Sequence, residues 1–220
     1  DRTETTTASI IEFGNNTTYS PNIFTFSATF ARPVQISAPS SLAGTFNTPY
    51  IADFTAVDGA GTLIYDIEAG TLPAGLFLNS STGRIFGTPS SVETQTVTVR
   101  VSDEFGNTDS STVTIEIGKL QLADPTSLTL RAVAASARQL VASFTGISVS
   151  ATYTVTILQA GTVVKTIPSY SSGLTIIDGL NPGESYTVQV ASIPNDSTNY
   201  LDSPGTVAPG FVNADTATVP

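Results

Sequence analysis

Apolar and polar residues alternate over two neighbouring stretches in the first half of the chain. The alternation runs through TVTVRVSDEFGN at 96–107 and returns in VTIEI at 113–117. Because successive side chains of a strand point to opposite faces, each stretch predicts a strand with one buried and one exposed face. The run 105–107 is a turn signal, so the two strands are predicted to form a hairpin that ends near Gly118.

A second informative stretch is GTLPAGLFLNSSTGRIFGTP at 70–89. Its prolines and glycines mark turns, and Leu76 and Leu78 alternate onto one face of a short strand. The run 79–83 reverses the chain before another short strand that begins at Ile85. Two short strands joined in this way are typical of the edge of a β-sandwich.

With PYIADFTA at 49–56 and IYDIEAG at 64–70, these stretches resemble an Ig-like family of large bacterial surface proteins and phage proteins. That family is related to the cadherin-like domains of dystroglycan. The resemblance implies a β-sandwich in the first half of the chain and a role as a structural module. It does not identify a ligand.

The second half resembles a fibronectin type III domain through GLNPGESYTVQVAS at 179–192. In this resemblance Tyr186 forms a tyrosine corner, with a buried ring and a hydroxyl that bonds to nearby backbone. Strands A and B are expected within 128–146 and strand C at 151–158, while 193–205 is expected to be the F to G hairpin with Tyr200 near the start of strand G. The family usually carries Trp in strand B, whereas this chain has Phe144 there.

The first 32 residues belong to neither domain and contain two further strand patterns. An isolated hairpin is marginal in water, so this arm is expected to pair with a sheet edge. Three alternatives stay open: the end of a preceding domain, an additional strand of the first sandwich, or a strand given to a neighbouring subunit by β-augmentation. The apolar residues through which the arm would bind a partner are Ile10, Ile11, Phe13, Phe24, Phe26 and Phe30.

The predicted fold is therefore all-β, with two tandem sandwiches of the Ig-like and fibronectin III-like kinds and an N-terminal strand arm. No sustained apolar spacing of three and four residues indicates a helix. The predicted divisions are an arm at 1–32, an Ig-like sandwich at 33–118, a linker at 119–125, a fibronectin-like sandwich at 126–212 and a tail at 213–220.

Composition narrows the function class. The 220 residues suffice for two domains, and only 12% are charged, about half of the usual ~25%, so Thr, Ser and Asn must form much of the surface. Such surfaces are common on secreted β-proteins. The net charge of −10 repels phosphate backbones and anionic membranes, which argues against nucleic-acid binding. The sequence has no apolar run of about 18 residues, so no membrane span is expected. Because residue 1 is Asp and Met is absent, we expect a processed chain or a fragment.

The absence of His and Cys removes disulfides, thiolate sites, Ser-His-Asp triads and most transition-metal sites. Carboxylate chemistry is left, and Asp66 with Glu68 is a better aligned pair than Asp103 with Glu104 because strand residues two apart share a face. Solvated surface charges are the favoured interpretation of both pairs. The Gly-Ala-Gly run at 59–61 has no Lys and no following helix, so it is predicted to be a turn and not a phosphate loop.

Calcium is the one cofactor that the sequence brings into consideration, because it binds carboxylate and carbonyl oxygens in loops. Cadherin-like relatives bind it between domains, although the tandem acidic signatures of cadherins do not occur here. An ordinary turn that uses Asp and Asn for backbone reasons is favoured over a metal site. The candidate calcium ligands are Asp103, Glu104, Asn107 and Asp109.

Two other kinds of site depend on short patterns. Tyr170 and Tyr200 lie in or beside predicted loops and are candidates for contact with a sugar or a protein, and Tyr19 lies between the two strands of the arm. Chance matches are expected for Asn-X-Ser/Thr sequons in a chain so rich in Ser and Thr, and glycosylation also requires a secreted chain in a glycosylating host. The candidate sequons begin at Asn15, Asn16, Asn79 and Asn195.

The leading hypothesis is a non-enzymatic extracellular or cell-surface protein, an adhesin or surface-filament subunit, that assembles through its N-terminal strand. Its expected partners are other subunits of the same kind, which would form a homo-oligomer by strand addition, or a host or cell-surface protein or glycan. A phage virion component, such as a tail fibre or head decoration, is the second hypothesis. The third is the accessory carbohydrate-binding region of a secreted glycan-degrading enzyme.

Overall fold

A computed structural model of the protein describes residues 2–9, 23–30, 32–133, 136–149, 151–169, 173–208 and 211–212. For 2–9, 23–30, 132–133, 136–137, 169 and 211–212 it describes the backbone alone. The chain divides into two compact units, which consist of residues 1–117 and 118–220. All regular structure in the described residues is β, which confirms the predicted fold class. No helix in these residues is long and apolar enough to cross a membrane.

The strands of unit 1 range from 3 to 11 residues, and the predicted hairpin contains the two longest. In chain order they are β1 (Arg2–Ser9), β2 (Ile23–Phe30), β3 (Gln35–Ser37), β4 (Ala43–Thr45), β5 (Tyr50–Asp53), β6 (Thr55–Val57), β7 (Ile64–Gly70), β8 (Leu76–Asn79), β9 (Arg84–Gly87), β10 (Thr94–Ser102) and β11 (Thr108–Gly118).

Two sheets build the sandwich of unit 1. The larger has the strand order β4-β11-β10-β7, and the smaller has the order β5-β9-β8. Strands β10 and β11 pair antiparallel with Val97 opposite Val113, as the alternation predicts. Strands β3 and β6 form a separate antiparallel pair, and β1 pairs antiparallel with β2 from Arg2 opposite Phe30 to Ser9 opposite Ile23.

The core of unit 1 lies between the two sheets. Alternate residues of β10 and β11 point inward from one side, and those of β5, β8 and β9 point inward from the other. Burial of each such aliphatic side chain stabilises the folded state by roughly 1.5–3 kcal/mol. The most deeply buried members are Phe54, Ile85, Val97, Val99, Val101, Ile115 and Ile117.

Glycines allow the backbone of the 70–89 segment to pack closely. A Cβ at Gly87 would lie 2.2 Å from the carbonyl oxygen of Gly75, and one at Gly75 would lie 2.2 Å from that of Thr88. Both glycines have positive φ, at 141° and 88°. The amide of Thr88 donates to the carbonyl of Gly75 at 3.2 Å, so the contact that excludes a side chain also carries a hydrogen bond.

The first strand of unit 2 lies inside the segment that was predicted to be a linker. Its strands are β12 (Leu120–Gln121), β13 (Thr126–Val133), β14 (Ser136–Thr145), β15 (Ala151–Gln159), β16 (Thr162–Ser169), β17 (Gly173–Ile177), β18 (Ser185–Pro194), β19 (Tyr200–Leu201), β20 (Thr206–Val207) and β21 (Phe211–Val212).

The sheets of unit 2 have the strand orders β13-β14-β17 and β16-β15-β18-β20, and β21 also pairs with β18. The core between them includes Tyr153, Val155 and Ile157 of β15, which face inward as predicted. Phe144, at the position where the family carries Trp, is buried and meets the ring of Tyr153 edge-on at a centroid distance of 5.1 Å. A T-shaped aromatic pair therefore fills this part of the core.

The predicted tyrosine corner is present in unit 2. The ring of Tyr186 is buried, and its hydroxyl oxygen accepts a hydrogen bond from the Asn181 amide at 3.0 Å. The hydroxyl of Tyr153 similarly accepts a bond from the Ile147 amide at 3.1 Å. Two tyrosine side chains thus each fix a turn of backbone to the core.

Two details of the second half differ from the predictions. Residues 119–125, expected to be a linker, contain β12, which pairs in parallel with β19, and Leu122 is buried. Tyr200 lies on β19, whereas the strand that pairs with β18 as strand G is β20. The physical reason for both is the same, since backbone groups at 120 and 122 find carbonyl partners on Asn199 and Leu201 at 3.0 Å each.

Candidate functional site

The outer face of the β5-β9-β8 sheet carries a row of exposed apolar side chains. Ile51 lies opposite Phe86, and Phe86 lies opposite Phe77, so the row crosses all three strands. The exposed fraction is 63% for Ile51, 42% for Phe86 and 62% for Phe77, although all three are large apolar residues. The rings of Phe77 and Phe86 lie 6.3 Å apart and are tilted by 46°. Below, these three residues are called the apolar row.

Strand alternation explains why these residues point outward. On the inner side of the same strands, the row formed by Ala52, Ile85 and Leu78 packs in the core. Because one side of each strand is committed to the core, the intervening residue must face outward. Scattered exposed apolar residues are ordinary, but contiguous ones often mark an interaction surface.

A polar row lies next to the apolar row on the same face. It consists of Asp53, Arg84 and Asn79, one from each strand. Arg84 donates from Nε to Asp53 Oδ1 at 2.7 Å and from its terminal nitrogen to Oδ2 at 3.2 Å. The hydrogen bond from Arg84 lowers the pKa of the Asp53 carboxyl below its ordinary value. The face is therefore apolar in one row and electrically neutral in the next.

Asn79, one of the predicted sequon residues, is exposed at the end of β8. Its Oδ1 accepts hydrogen bonds from the amides of Ser81 and Thr82, at 3.0 and 3.2 Å, which closes the turn into β9. The side chain thus has a structural role in the reversal that positions Phe77 beside Phe86. Glycosylation of Asn79 stays a prediction.

The predicted calcium turn is closed by the carboxylate of Asp103. Oδ1 accepts bonds from the amides of Phe105 and Asn107, and Oδ2 accepts bonds from the Asn107 side chain and the Ala60 amide. These donors, of which the Asn107 side chain contributes most, lower the pKa of Asp103. The bonds explain why Asp and Asn are present at this turn.

Of the other predicted calcium ligands, Asn107 bonds to Asp103 as a donor, and the two acidic residues have separate contacts. Asp109 accepts bonds from the amides of Ile36 and Ser110, while Glu104 is exposed beside Gly61. In the described parts of the chain, no group of three or more acidic side chains is arranged to hold a metal ion. Calcium binding here stays a prediction that this geometry does not favour.

The carboxylates considered for acid-base chemistry pair with a cation. Asp66 accepts two bonds from Arg100, at 3.1 and 2.5 Å, across β7 and β10. Glu68 accepts a bond from the Ser110 hydroxyl at 2.6 Å and lies 3.9 Å from Arg100. These contacts form a ladder of surface charges on the outer face of the larger sheet.

The remaining predicted site residues fall into two groups. Tyr200 is half-buried on β19, and Asn195 is exposed just after β18. Phe24, Phe26 and Phe30 lie on β2, of which the backbone alone is described. Outside the described residues lie Ile10, Ile11, Phe13, Asn15, Asn16, Tyr19 and Tyr170.

Sequence reasoning missed the apolar row, although a signal for it was present. Once Leu76, Leu78 and Ile85 are assigned to the core, Phe77 and Phe86 must point outward. The cross-strand register that brings them together with Ile51 depends on long-range pairing, which the sequence does not specify.

Part of the chain matches a known protein family. Residues 28–118 match the family model described as "Putative Ig domain". The match confirms the Ig-like prediction for the first half, and we call unit 1 the Ig-like domain. Families of this kind are typically non-catalytic. No curated protein matches the chain.

Several solved structures resemble the chain at low identity. A two-domain fibronectin type III segment of chicken tenascin is 14% identical with a TM-score of 0.43, covering 83% of this chain and 98% of its own. Domains d3–d4 of the rat CD45 extracellular region are 12% identical with a TM-score of 0.35, covering 46% of this chain and 54% of theirs. A protein described as a "putative alpha-galactosidase" from Bacteroides fragilis is 25% identical with a TM-score of 0.34, covering 42% of this chain and 21% of its own.

Proposed function

We propose that this chain is a non-enzymatic extracellular structural and adhesion module, an adhesin or a subunit of a surface filament. The observation that carries the proposal is the apolar row, Ile51, Phe77 and Phe86, held in the open on a sheet face of the Ig-like domain. Exposing such side chains costs hydrophobic free energy that burial against a partner would recover. A face of this kind suits recognition of another surface and has no place in a catalytic cleft.

The electrostatics of the described residues support the same role. The acidic side chains offered for acid-base chemistry, Asp66 and Glu68, are held by Arg100 and Ser110 on an exposed sheet. A glycosidase needs its two carboxyl groups on either side of the scissile bond of a bound sugar, within a cleft that also admits the attacking water. Two carboxylates that share one arginine on a sheet surface do not supply that arrangement.

The surface chemistry supports a position outside the cell. Charged residues make up only 12% of the chain and Cys is absent, so each domain is stable without disulfides. The exposed positions of β10 and β11 carry threonines, and Thr96 and Thr98 bond to Thr114 and Thr112 across the strands. Such threonine ladders stabilise an exposed sheet without adding charge.

The proposal is tested by locating the protein in its source. An antibody raised against the purified chain is applied to intact cells, and the gold label is imaged by electron microscopy with and without permeabilisation. We expect label on intact cells, at the surface or along filaments. Label on virions would assign the chain to the alternative structural role, and label that requires permeabilisation would contradict the proposal.

Adhesion is tested with beads that carry the purified chain. Binding of the beads to source or host cells is compared for the unaltered protein and for the double variant Phe77→Ser, Phe86→Ser. We expect the double variant to bind at least tenfold less, since aromatic residues dominate binding energy at such surfaces. The matched control is Leu174→Ser, which removes a 73% exposed apolar side chain from unit 2.

A further inference from the structure

We propose that the outer face of the β5-β9-β8 sheet binds the same face of a second copy of this chain. The inference rests on the proposed function in that it names the partner of the apolar row. Three observations carry it: the size of the exposed apolar surface, its arrangement about the central strand, and its charge.

The size of the apolar row fits a protein partner. Together Ile51, Phe77 and Phe86 expose on the order of 300–400 Å² of apolar surface. A standard interface takes about 800 Å² from each partner, a little over half of it apolar. The row therefore supplies most of the apolar core of such an interface, and the polar row with its neighbours supplies a rim.

The arrangement of the row makes it self-complementary. Phe86 lies on the central strand β9, with Ile51 on one side and Phe77 on the other. A twofold axis that lies midway between the two stacked sheets, parallel to β9 and over Phe86, carries the row of one copy onto the row of the other with its ends exchanged. Ile51 of one copy then packs against Phe77 of the other, which is the contact that an isologous dimer requires. Two sheets stacked in this way resemble the two layers of a β-sandwich, about 10 Å apart.

Charge distinguishes this face from the rest of an acidic chain. The strands β5, β8 and β9 carry one acidic and one basic residue, Asp53 and Arg84, and these are paired. The strands of the larger sheet carry four acidic residues and one basic residue, a net charge of −3. The smaller sheet therefore has no net charge, and two copies of a chain with net charge −10 repel each other less there than at the larger sheet.

The experiment is sedimentation equilibrium of the purified full chain, at about 1–100 µM, the range expected for an interface of this size. We expect a reversible monomer-dimer equilibrium. Phe86→Lys places two like charges on the axis and should raise the dissociation constant at least tenfold. Leu174→Lys, which charges an exposed apolar position of unit 2, should leave it unchanged. Both substituted sites are exposed, and circular dichroism melting verifies that the variants fold.

A charge exchange tests the electrostatic part. Arg84→Asp leaves two acidic residues in the polar row and should weaken association, whereas Asp53→Arg combined with Arg84→Asp restores a neutral pair and should restore association. A chain that is monomeric throughout the concentration range, or a dimer that survives Phe86→Lys, overturns the inference. A monomer whose Phe77 and Phe86 resonances shift on addition of cellohexaose assigns the face to a neutral glycan and also overturns it. Surface labelling of intact cells is independent of these outcomes, so the two proposals can fail separately.

Discussion

The glycines of the two units illustrate two ways of specifying a turn. In the Ig-like domain, a Cβ added to Gly75 or to Gly87 would lie 2.2 Å from a backbone carbonyl oxygen. In unit 2, Gly179 and Gly183 also have positive φ, but no atom lies within 4 Å of an added Cβ. The first pair is required for backbone packing, whereas the second pair is required for turn conformation alone.

The hydroxyl groups of buried tyrosines also differ between the two units, in whether they form a hydrogen bond. In unit 2 the hydroxyls of Tyr153 and Tyr186 each accept a hydrogen bond from a backbone amide. In the Ig-like domain the hydroxyl of Tyr50 is buried, and it has no hydrogen-bond partner in the described part of the chain. The comparison teaches that unit 2 holds two of its loops with tyrosine hydroxyls, while the Ig-like domain adds direct backbone contact at Gly75 and Gly87 to the side-chain bonds of its 70–89 segment.

The largest expected effect follows from the glycine comparison. Gly87→Ala should destabilise the Ig-like domain by at least about 3 kcal/mol, because a backbone carbonyl must move to admit the methyl group. Gly183→Ala should cost unit 2 only about 1 kcal/mol, the penalty for positive φ. Urea unfolding of both variants measures the difference. Equal losses at the two positions would refute the distinction.

An intermediate effect is expected from the tyrosine comparison. Tyr186→Phe should destabilise unit 2 by about 1 kcal/mol, because the Asn181 amide loses an acceptor. Tyr50→Phe should leave the Ig-like domain unchanged or slightly more stable, because the removed hydroxyl is buried without a partner in the described residues. The two variants are compared by thermal unfolding. A loss at Tyr50→Phe that matches the loss at Tyr186→Phe would contradict this difference.

The smallest expected effect concerns two aspartates that close loops. Hydrogen bonds, chiefly from Asn107 to Asp103 and from Asn199 to Asp196, lower the pKa of each carboxyl below its ordinary value of 3.8. A lowered pKa stabilises the fold above that value, and the stability is lost as the pH falls through the folded-state pKa. The melting temperature of the protein should therefore decrease when the pH is lowered below about 4.

Substitution of Asp103 and substitution of Asp196 should reduce the acid sensitivity of the melting temperature by different amounts. Asp103 is buried and also accepts the amide of Ala60 from a distant loop, whereas the bonds given to Asp196 come from Thr198 and Asn199 in its own loop. Asp103→Asn should therefore remove more of the acid sensitivity than Asp196→Asn. If the melting curves of both variants keep the full pH dependence, other carboxylates are responsible for it.

Much of the fold could be predicted because its signals are local. Strand alternation at 96–101 and 113–117 gave the hairpin and its buried valines, and the corner at 180–186 gave the Tyr186 hydrogen bond. Both depend on residues a few positions apart. Parallel pairing of Leu120 with Tyr200 joins residues far apart in the chain, and no local pattern indicates it.

The candidate site could be predicted only in part, for a related reason. An exposed Phe77 follows from Leu76 and Leu78 facing inward, but its partners depend on which strands pair and in which register. The same limit applies to Asp103, whose acidic and amide neighbours in sequence made calcium a candidate beside the favoured ordinary turn. Its bond from Ala60, a residue from another loop, became visible only in the folded chain.

The parallel pair of β12 and β19 gives unit 2 a mechanical property. A force that acts on the chain just before β12 and just after β19 pulls these two strands in opposite directions. Because these strands run in the same direction, such a force loads their hydrogen bonds lengthwise and together, so the bonds cannot open one at a time. Unit 2 therefore resists a pull on its first strand through the hydrogen bonds between β12 and β19.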